Sequence, residues 1–244
     1  MSTRDAPAEE SLMGHLLELR ARLMRGIAAV LVVFLALMPF AKQLYNQFAQ
    51  PLVAKLPSGG MLQAIDVAGG FFIPIKLAFF VAVLATMPWL LYQAWAFVAP
   101  GLYRHEKRLA VPLLVSSVGL FYAGCAFAYF LVLPAVFGFL TAVTPEGVAM
   151  MTDIGRYLDF VLVILLAFGL GFEMPVAVVV LVLLGLVTPA QLREARGYVI
   201  VGIFILAAIV TPPDVVSQLL LAIPMCLLYE LGIIAGGLLK RPPA

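Results

Sequence analysis

The segment FVAPGLYRHEKR, residues 97–108, separates two long apolar runs, and this alternation of polar loop and apolar run decides the fold. The segment is basic and holds one carboxylate, Glu106, among its cationic side chains. Pro100 and Gly101 end the helix before them, because proline lacks a backbone N–H and glycine loses the most backbone freedom in a helix. The segment is therefore predicted to be a loop at one face of a membrane.

The composition agrees with this prediction. Of the 244 residues, 64% are hydrophobic and only 11% are charged, and the mean hydropathy is +1.10. Soluble domains usually hold about 25% charged residues, so an ordinary soluble fold is excluded. The net charge of +2 is small and no basic stripe is present, which argues against nucleic-acid binding. The composition predicts an all-α integral membrane protein that forms one membrane domain over residues 1–244.

Six apolar runs are predicted to be transmembrane helices, and residues 1–22 form a polar, amphipathic stretch before them. The fifth run is short, about 21 Å at 1.5 Å per residue against a hydrocarbon core of about 30 Å. It is either a short span or half of a re-entrant hairpin that turns at residues 211–214. Short fifth and sixth spans are favoured, since Asp214 and its two neighbouring prolines are best placed in water. The predicted spans are residues 23–41, 71–98, 109–133, 157–187, 197–210 and 215–239.

The cationic residues predict the orientation of the spans. Eleven of the 15 Lys and Arg residues fall in the segments on the amino-terminal side of the membrane. The positive-inside rule therefore places both termini in the cytoplasm. The first run has no small-residue cleavage site after it, so it is expected to be a retained span.

Proline residues predict bent helices. Pro88, Pro175 and Pro224 lie inside the second, fourth and sixth runs. A proline removes one backbone hydrogen bond and kinks a membrane helix, so a curved arrangement of helices is expected. In the outer loops, residues 44–48 are expected to form an interfacial helix that ends at Gln50–Pro51. Asp153 is expected to cap the fourth span.

Glu18 lies on the amphipathic stretch before the first span and has two possible roles. It could form an ordinary i, i+4 pair with Arg22 on a surface helix. Alternatively, Glu18 and Glu106 could face the same compartment and accept cations together. Two carboxylates would suit a pair of adjacent arginines, because arginine makes paired, charge-assisted hydrogen bonds that lysine reproduces poorly.

Glu173 is the ionisable residue within the fourth span. A charge at the centre of a span costs about 2.5–3.5 kcal/mol on insertion scales, which makes such a residue a functional candidate. It could equally be a buried carboxylic acid bonded to backbone that Pro175 frees. Thr211 and Gln218 are further polar groups expected to meet a partner helix.

Enzymatic chemistry has little support in the sequence. His15 and His105 both lie outside the spans, so an intramembrane Ser-His dyad is excluded. No nucleotide loop, nucleophile elbow or metal-ligand spacing is present. The chain is therefore predicted not to be an enzyme and to bind no cofactor or metal.

Five separate motifs occur in order along most of the chain. They are residues 15–20, HLLELR; 71–76, FFIPIK; the loop 97–108; 172–175, FEMP; and 211–214, TPPD. Together they resemble the TatC family of the twin-arginine protein translocase, in its proteobacterial form. The resemblance implies a glove-shaped receptor of six helices in the bacterial inner membrane. Such a receptor binds Arg-Arg signal peptides at the cytoplasmic face and helps to export folded proteins with the proton-motive force.

The resemblance also implies roles for particular residues and partners. The signal-peptide site would comprise Glu18, Arg20, Phe97 and Glu106. Glu173 would be the polar group within the membrane and Pro51 part of the outer cap. TatA and TatB, single-span proteins, would bind at Thr211, Asp214 and Gln218, and the chain would associate with itself and with lipid. The alternative is a proton-coupled secondary transporter that uses Glu173, although no convincing inverted repeat is found.

Overall fold

The computed structural model describes residues 6–53, 68–98, 109–143, 153–211 and 215–239. Within these ranges the chain forms helices and the short connections between them. It divides into two compact units. Unit 1 comprises Met1–Pro51 and Phe71–Gly101, and unit 2 comprises Leu52–Gly70 and Leu102–Ala244.

Unit 1 contains three helices. α1, Ala6–Leu37, is one continuous helix of 32 residues, so the polar stretch before the first span and the span itself are a single element. A short 3₁₀ turn, Met38–Phe40, with a proline near its start, leads into α2, Ala41–Val53. α2 runs through Gln50–Pro51 instead of ending there, because a proline in the last turn removes only one backbone bond. α3 is Gly69–Val98.

Unit 2 contains the remaining helices. α4 continues through one π-helical turn, Ala128–Val132, into α5, so the third predicted span extends beyond its expected end at residue 133. The side chain of Asp153 accepts a hydrogen bond from the Arg156 N–H at 2.9 Å, which confirms the predicted cap of α6. The helices are α4, Ala110–Phe127; α5, Leu133–Val143; α6, Ile154–Gly171; α7, Met174–Leu183; α8, Pro189–Glu194; α9, Arg196–Val210; and α10, Val215–Leu239.

Glycines allow helices of unit 2 to pack closely. A Cβ placed on Gly232 of α10 would lie 2.9 Å from the Pro175 Cα and 2.9 Å from the Val178 Cβ of α7. A Cβ on Gly124 of α4 would lie 2.9 Å from the Phe168 carbonyl carbon of α6. Contacts this short exist only because no side chain occupies these positions, so α7 with α10 and α4 with α6 form the packed frame of unit 2.

Five stretches of the described chain are long and apolar enough to cross a membrane, and α9 is a shorter apolar helix of 15 residues. These five stretches and α9 correspond to the six predicted runs. α9 is short, as expected, but α10 has 25 residues, or about 37 Å at 1.5 Å per residue, and is not short. Pro224 lies inside α10 without ending it, because the rest of the helix keeps its backbone hydrogen bonds. The five long stretches are Met13–Phe48, Gly69–Val98, Ala110–Phe139, Ile154–Leu183 and Val215–Leu239.

The prolines differ in their effect on the helices. Pro74 and Pro88 both lie within α3, which continues through them. Pro175 instead lies in the first turn of α7, just after a break at Phe172–Glu173 between α6 and α7. Proline fits a first helical turn because the N–H that it lacks would have no helical partner there. The fourth span is therefore two helices, with Glu173 at the joint.

Candidate functional site

Glu18 forms an ion pair with Arg22 one turn further along α1. Its Oε1 accepts from the Arg22 Nη2 at 2.5 Å and from the Arg22 Nε at 3.0 Å. The side chain of Glu18 is 37% exposed and that of Arg22 is 19% exposed. The i, i+4 pair considered from the sequence is therefore present. Both Arg22 contacts fall on one carboxylate oxygen, so the second oxygen, Oε2, is not part of the pair.

Two contacts join this part of α1 to α3. The Arg22 Nη1 lies 3.5 Å from the Oε1 of Gln93, which is buried in α3. The ring of His15 stacks on Phe97, with the ring centres 4.2 Å apart and 22° between the planes. His15 and Arg22 are seven residues apart and share one face of the helix, with Glu18 near that face. The structure thus places Glu18 and Phe97 in the same part of unit 1.

Arg20, the third predicted site residue in α1, does not share this face. It lies two residues after Glu18, which is about 200° around an α-helix, and it is exposed. Glu106 lies outside the described residues. Among the described residues, the predicted site therefore comprises Glu18 with its neighbours in unit 1.

An apolar cavity of about 500 Å³ lies between α1 and α3, beside the ion pair. Arg22 and Gln93 form the polar part of its wall. The Arg22 guanidinium therefore has apolar side chains on the side that faces this cavity. The apolar residues that line it are Leu19, Leu23, Ile27, Val30, Leu31, Phe79, Val83 and Leu90, with Gly26 and Ala94.

Glu173 is bonded to another helix of unit 2. Its Oε2 accepts a short hydrogen bond from the hydroxyl of Ser117, a buried residue of α4. Its other oxygen, Oε1, is buried and has no hydrogen-bond partner within the described ranges. A buried polar atom without a partner is unfavourable, so Glu173 retains the capacity to accept one more hydrogen bond inside the membrane.

Thr211 and Gln218, the predicted partner-contact residues, make hydrogen bonds within the chain. The Thr211 hydroxyl donates to the Ala207 carbonyl at 2.8 Å and its side chain is buried. The Gln218 Nε2 donates to the Phe204 carbonyl at 3.1 Å and joins α10 to α9. Asp214 lies outside the described residues. Pro51 lies in α2, although its side chain is not among those described.

Sequence reasoning did not find three of these residues. Gln93 and Ser117 are polar residues inside apolar runs, and that is the signal that could have found them. Polar side chains within spans usually face protein and not lipid. His15 belongs to the first motif and lies outside the spans, and nothing in the sequence indicates that it stacks on a residue of α3.

No cluster of metal-binding side chains occurs among the residues that the structure describes. The groups at the two sites are carboxylates, a guanidinium, an amide and a hydroxyl, which bind ligands through hydrogen bonds and charge. Such groups, set before the apolar part of α1 and at a break within a span, suit recognition of a polar or cationic group.

Comparison with known proteins assigns the family. Residues 14–224 match the family model for TatC, the Sec-independent protein translocase protein. TatC of Azotobacter chroococcum mcd 1 is 53% identical over 237 residues, covering 97% of this chain and 93% of the relative. TatC of Escherichia coli strain K12 is 52% identical over 233 residues, covering 96% of this chain and 89% of the relative.

A solved structure gives the same result. The crystal structure of the twin arginine translocase receptor TatC superimposes with a TM-score of 0.80 at 40% identity, covering 93% of this chain and all of that one. The sequence resemblance is thereby confirmed, and with it the assignment to a membrane-bound translocase component instead of an enzyme. The chain belongs to the TatC family of Sec-independent protein translocase proteins.

Proposed function

We propose that this chain is the receptor subunit of a twin-arginine translocase and that Glu18 binds the arginine pair of a signal peptide. The observation that carries the proposal is the half-exposed Glu18 carboxylate, on a helix held to α3 by two side-chain contacts. A carboxylate and a guanidinium form paired, charge-assisted hydrogen bonds. The solved TatC structure is itself described as a twin arginine translocase receptor.

Phe97 and Glu106 complete the proposed site around Glu18, and Arg20 supports it from the other side of α1. Glu106 supplies the second carboxylate, since its loop is predicted to face the same compartment as Glu18 and two adjacent arginines need two acceptors. Phe97, packed on His15, offers an aromatic face beside Glu18, and guanidinium groups stack well on such faces. Arg20 is exposed and lies on the other side of α1, where it meets lipid phosphates at the membrane surface.

The proposed location is the bacterial inner membrane with both termini in the cytoplasm. The excess of Lys and Arg in the segments on the amino-terminal side supports this orientation. TatA and TatB are the proposed single-span partners, and the chain associates with further copies of itself in the assembled complex. The proton-motive force drives transport.

The partner contacts are proposed at the outer ends of α9 and α10, around Thr211, Asp214 and Gln218. Gln218 holds α10 against α9, and Thr211 bonds to the last turn of its own helix, α9. A partner helix would then pack on exposed apolar residues nearby, such as Val215 and Ile209. Pro51 belongs to a rigid outer cap, and Glu173 offers its second oxygen to a polar group of the peptide or a partner.

The alternative function, a proton-coupled transporter, has no support from the comparisons. The relatives and the solved structure described above are translocase components.

Binding of a synthetic signal peptide to the purified chain tests the proposal. A peptide with Arg-Arg before its apolar segment should bind in lipid nanodiscs at least about tenfold more tightly than its Lys-Lys counterpart, a difference of about 1.4 kcal/mol. Glu18→Ala combined with Glu106→Ala should abolish this preference. Glu194→Ala, an exposed carboxylate on α8, is the matched control and should leave it unchanged. An unchanged preference in the double variant would refute the proposal.

A further inference from the structure

We propose that Arg22 and Gln93 are positioning residues that fix the Glu18 carboxylate for a guanidinium ligand. This inference rests on the proposed function and deepens it. In it, Arg22 is a permanent part of the binding site, and the ligand's arginine binds beside it without displacing it.

In this proposal, Arg22 binds one oxygen of Glu18, Oε1, and the ligand binds the other, Oε2. Two nitrogens of Arg22 contact Oε1, at 2.5 and 3.0 Å, and neither contacts Oε2. A carboxylate has about four lone-pair sites, so Oε2 can still accept from another donor. Because two nitrogens of one guanidinium hold Oε1, the position of Oε1 is restrained, and Oε2 is presented in a preferred orientation.

Arg22 is itself anchored to α3. Its third nitrogen, Nη1, lies 3.5 Å from the Oε1 of Gln93, and Gln93 is only 6% exposed. The Arg22 side chain is 19% exposed and lines the apolar cavity between α1 and α3. If Arg22 moved away, it would lose its hydrogen bonds to Glu18 and Gln93. A fully solvated arginine makes no such bonds and has none to lose. The buried amide therefore keeps Arg22 in place while a ligand binds.

A second contact holds the same face of α1 against α3. His15, one turn before Glu18, stacks on Phe97 at 4.2 Å. Glu18 thus lies between two cross-helix contacts, His15 with Phe97 and Arg22 with Gln93. Its backbone position is restrained from both sides, and only its side chain remains to be fixed by Arg22.

A fixed carboxylate favours arginine over lysine. The guanidinium is planar, and its paired hydrogen bonds require a particular orientation of the acceptor. An ammonium group is a compact charge with three rotatable donors, and it tolerates a mobile acceptor. Loss of the positioning residues should therefore weaken Arg-Arg binding while Lys-Lys binding stays nearly the same.

Arg22→Lys and Gln93→Leu test the inference in the full chain in nanodiscs, with Arg-Arg and Lys-Lys versions of one signal peptide. Arg22→Lys keeps the positive charge but loses the planar fork that reaches Glu18 and Gln93 together. Gln93→Leu removes the acceptor and leaves an apolar side chain beside an apolar cavity. Each variant should bind the Arg-Arg peptide about tenfold more weakly, equivalent to about 1.4 kcal/mol, and the Lys-Lys peptide within about twofold of the parent.

Two matched controls accompany these variants. Arg25→Lys makes the same change at an exposed arginine of α1, and Thr86→Val removes a buried polar group of α3 that bonds only within its own helix. Both should keep the parent's preference. In a Glu18→Gln background, Arg22→Lys and Gln93→Leu should have no further effect on the preference, because they act through Glu18.

Each other outcome overturns the inference. Tighter binding of the Arg-Arg peptide to Arg22→Lys would make Arg22 a competitor of the ligand. An equal loss for both peptides, with a lower melting temperature, would make the two residues merely structural. Variants that bind as the parent does, while Glu18→Gln abolishes the preference, would refute positioning but keep the proposed function. A parent chain whose preference does not depend on Glu18 would refute the proposed function itself.

Discussion

At the scale of single residues, Glu173 and Ser117 form the pair that the sequence could not predict. They are 56 residues apart and lie in different helices. Glu173 could be singled out because a carboxyl group within a span is rare. Ser117 could not be singled out, because it follows Ser116 and the hydropathy of α4 does not show which of the two serines faces protein. Glu18 with Arg22 is the opposite case, since their spacing of four residues predicts the contact directly.

Replacing Ser117 by alanine should destabilise unit 2. The change leaves both oxygens of Glu173 without a partner in the described chain, and interhelical hydrogen bonds in membranes contribute about 0.6 kcal/mol on average and up to about 1.7 kcal/mol. The melting temperature in detergent should fall accordingly. Ser116→Ala is the control, because Ser116 is exposed and donates to the Pro112 carbonyl of its own helix. Equal losses for Ser116→Ala and Ser117→Ala would contradict the role assigned to this bond.

At the scale of helices, the length of an apolar run predicts the helix well, whereas the sequence does not predict the local breaks within helices. The sixth run was predicted as residues 215–239, and the structure has α10 over Val215–Leu239. The break at Phe172–Glu173 and the π-helical turn at Ala128–Val132 were not predicted. Both depend on how neighbouring helices pack, and hydropathy does not record packing. All three prolines are predicted to kink their helices; Pro175 lies at a break, whereas α3 and α10 continue through Pro88 and Pro224, where the kink stays a prediction.

Gly232→Ala should separate α10 from α7. The added Cβ would lie 2.9 Å from the Pro175 Cα, which is backbone and cannot move aside as a side chain can. Overpacking of this kind typically costs about 1–3 kcal/mol. Gly237→Ala is a matched control, because nothing lies within 4 Å of its Cβ position. That control should be neutral or slightly stabilising, since alanine favours the helix by about 0.5–1 kcal/mol over glycine. Thermal unfolding of the two variants measures the difference, and an unaffected Gly232→Ala would disprove the close packing.

At the scale of the whole molecule, the composition and the order of motifs predicted more than any single residue did. A hydrophobic content of 64% indicated a membrane protein, and five motifs in sequence indicated the family that the comparisons confirm. The membrane orientation rests on charge counting alone and stays a prediction. The second carboxylate of the site, Glu106, also stays a prediction, because it lies outside the described residues.

Cysteine labelling in intact cells tests the orientation. After Cys125 and Cys226 are replaced by alanine, single cysteines are introduced at Lys42 and at Arg193, both exposed in the structure. A membrane-impermeant maleimide applied from outside should label position 42, on the predicted outer side, and should label position 193 only after the cells are opened. The reverse pattern would place the termini outside and remove the cytoplasmic signal-peptide site.

Because α1 is one continuous helix, the direction in which Glu18 faces is fixed relative to the membrane-spanning residues that follow it. Gly26, eight residues after Glu18 in the same helix, packs against Leu90 of α3, where a Cβ would meet the Leu90 Cδ2 at 2.9 Å. One residue inserted between Arg25 and Gly26 would turn Glu18 and Arg22 by about 100° away from α3. Four inserted residues would bring them back to within about 40°, one turn further from the membrane. Even that insertion would move Arg22 about 6 Å along the axis, away from Gln93, so the site depends on the exact length of α1 before Gly26.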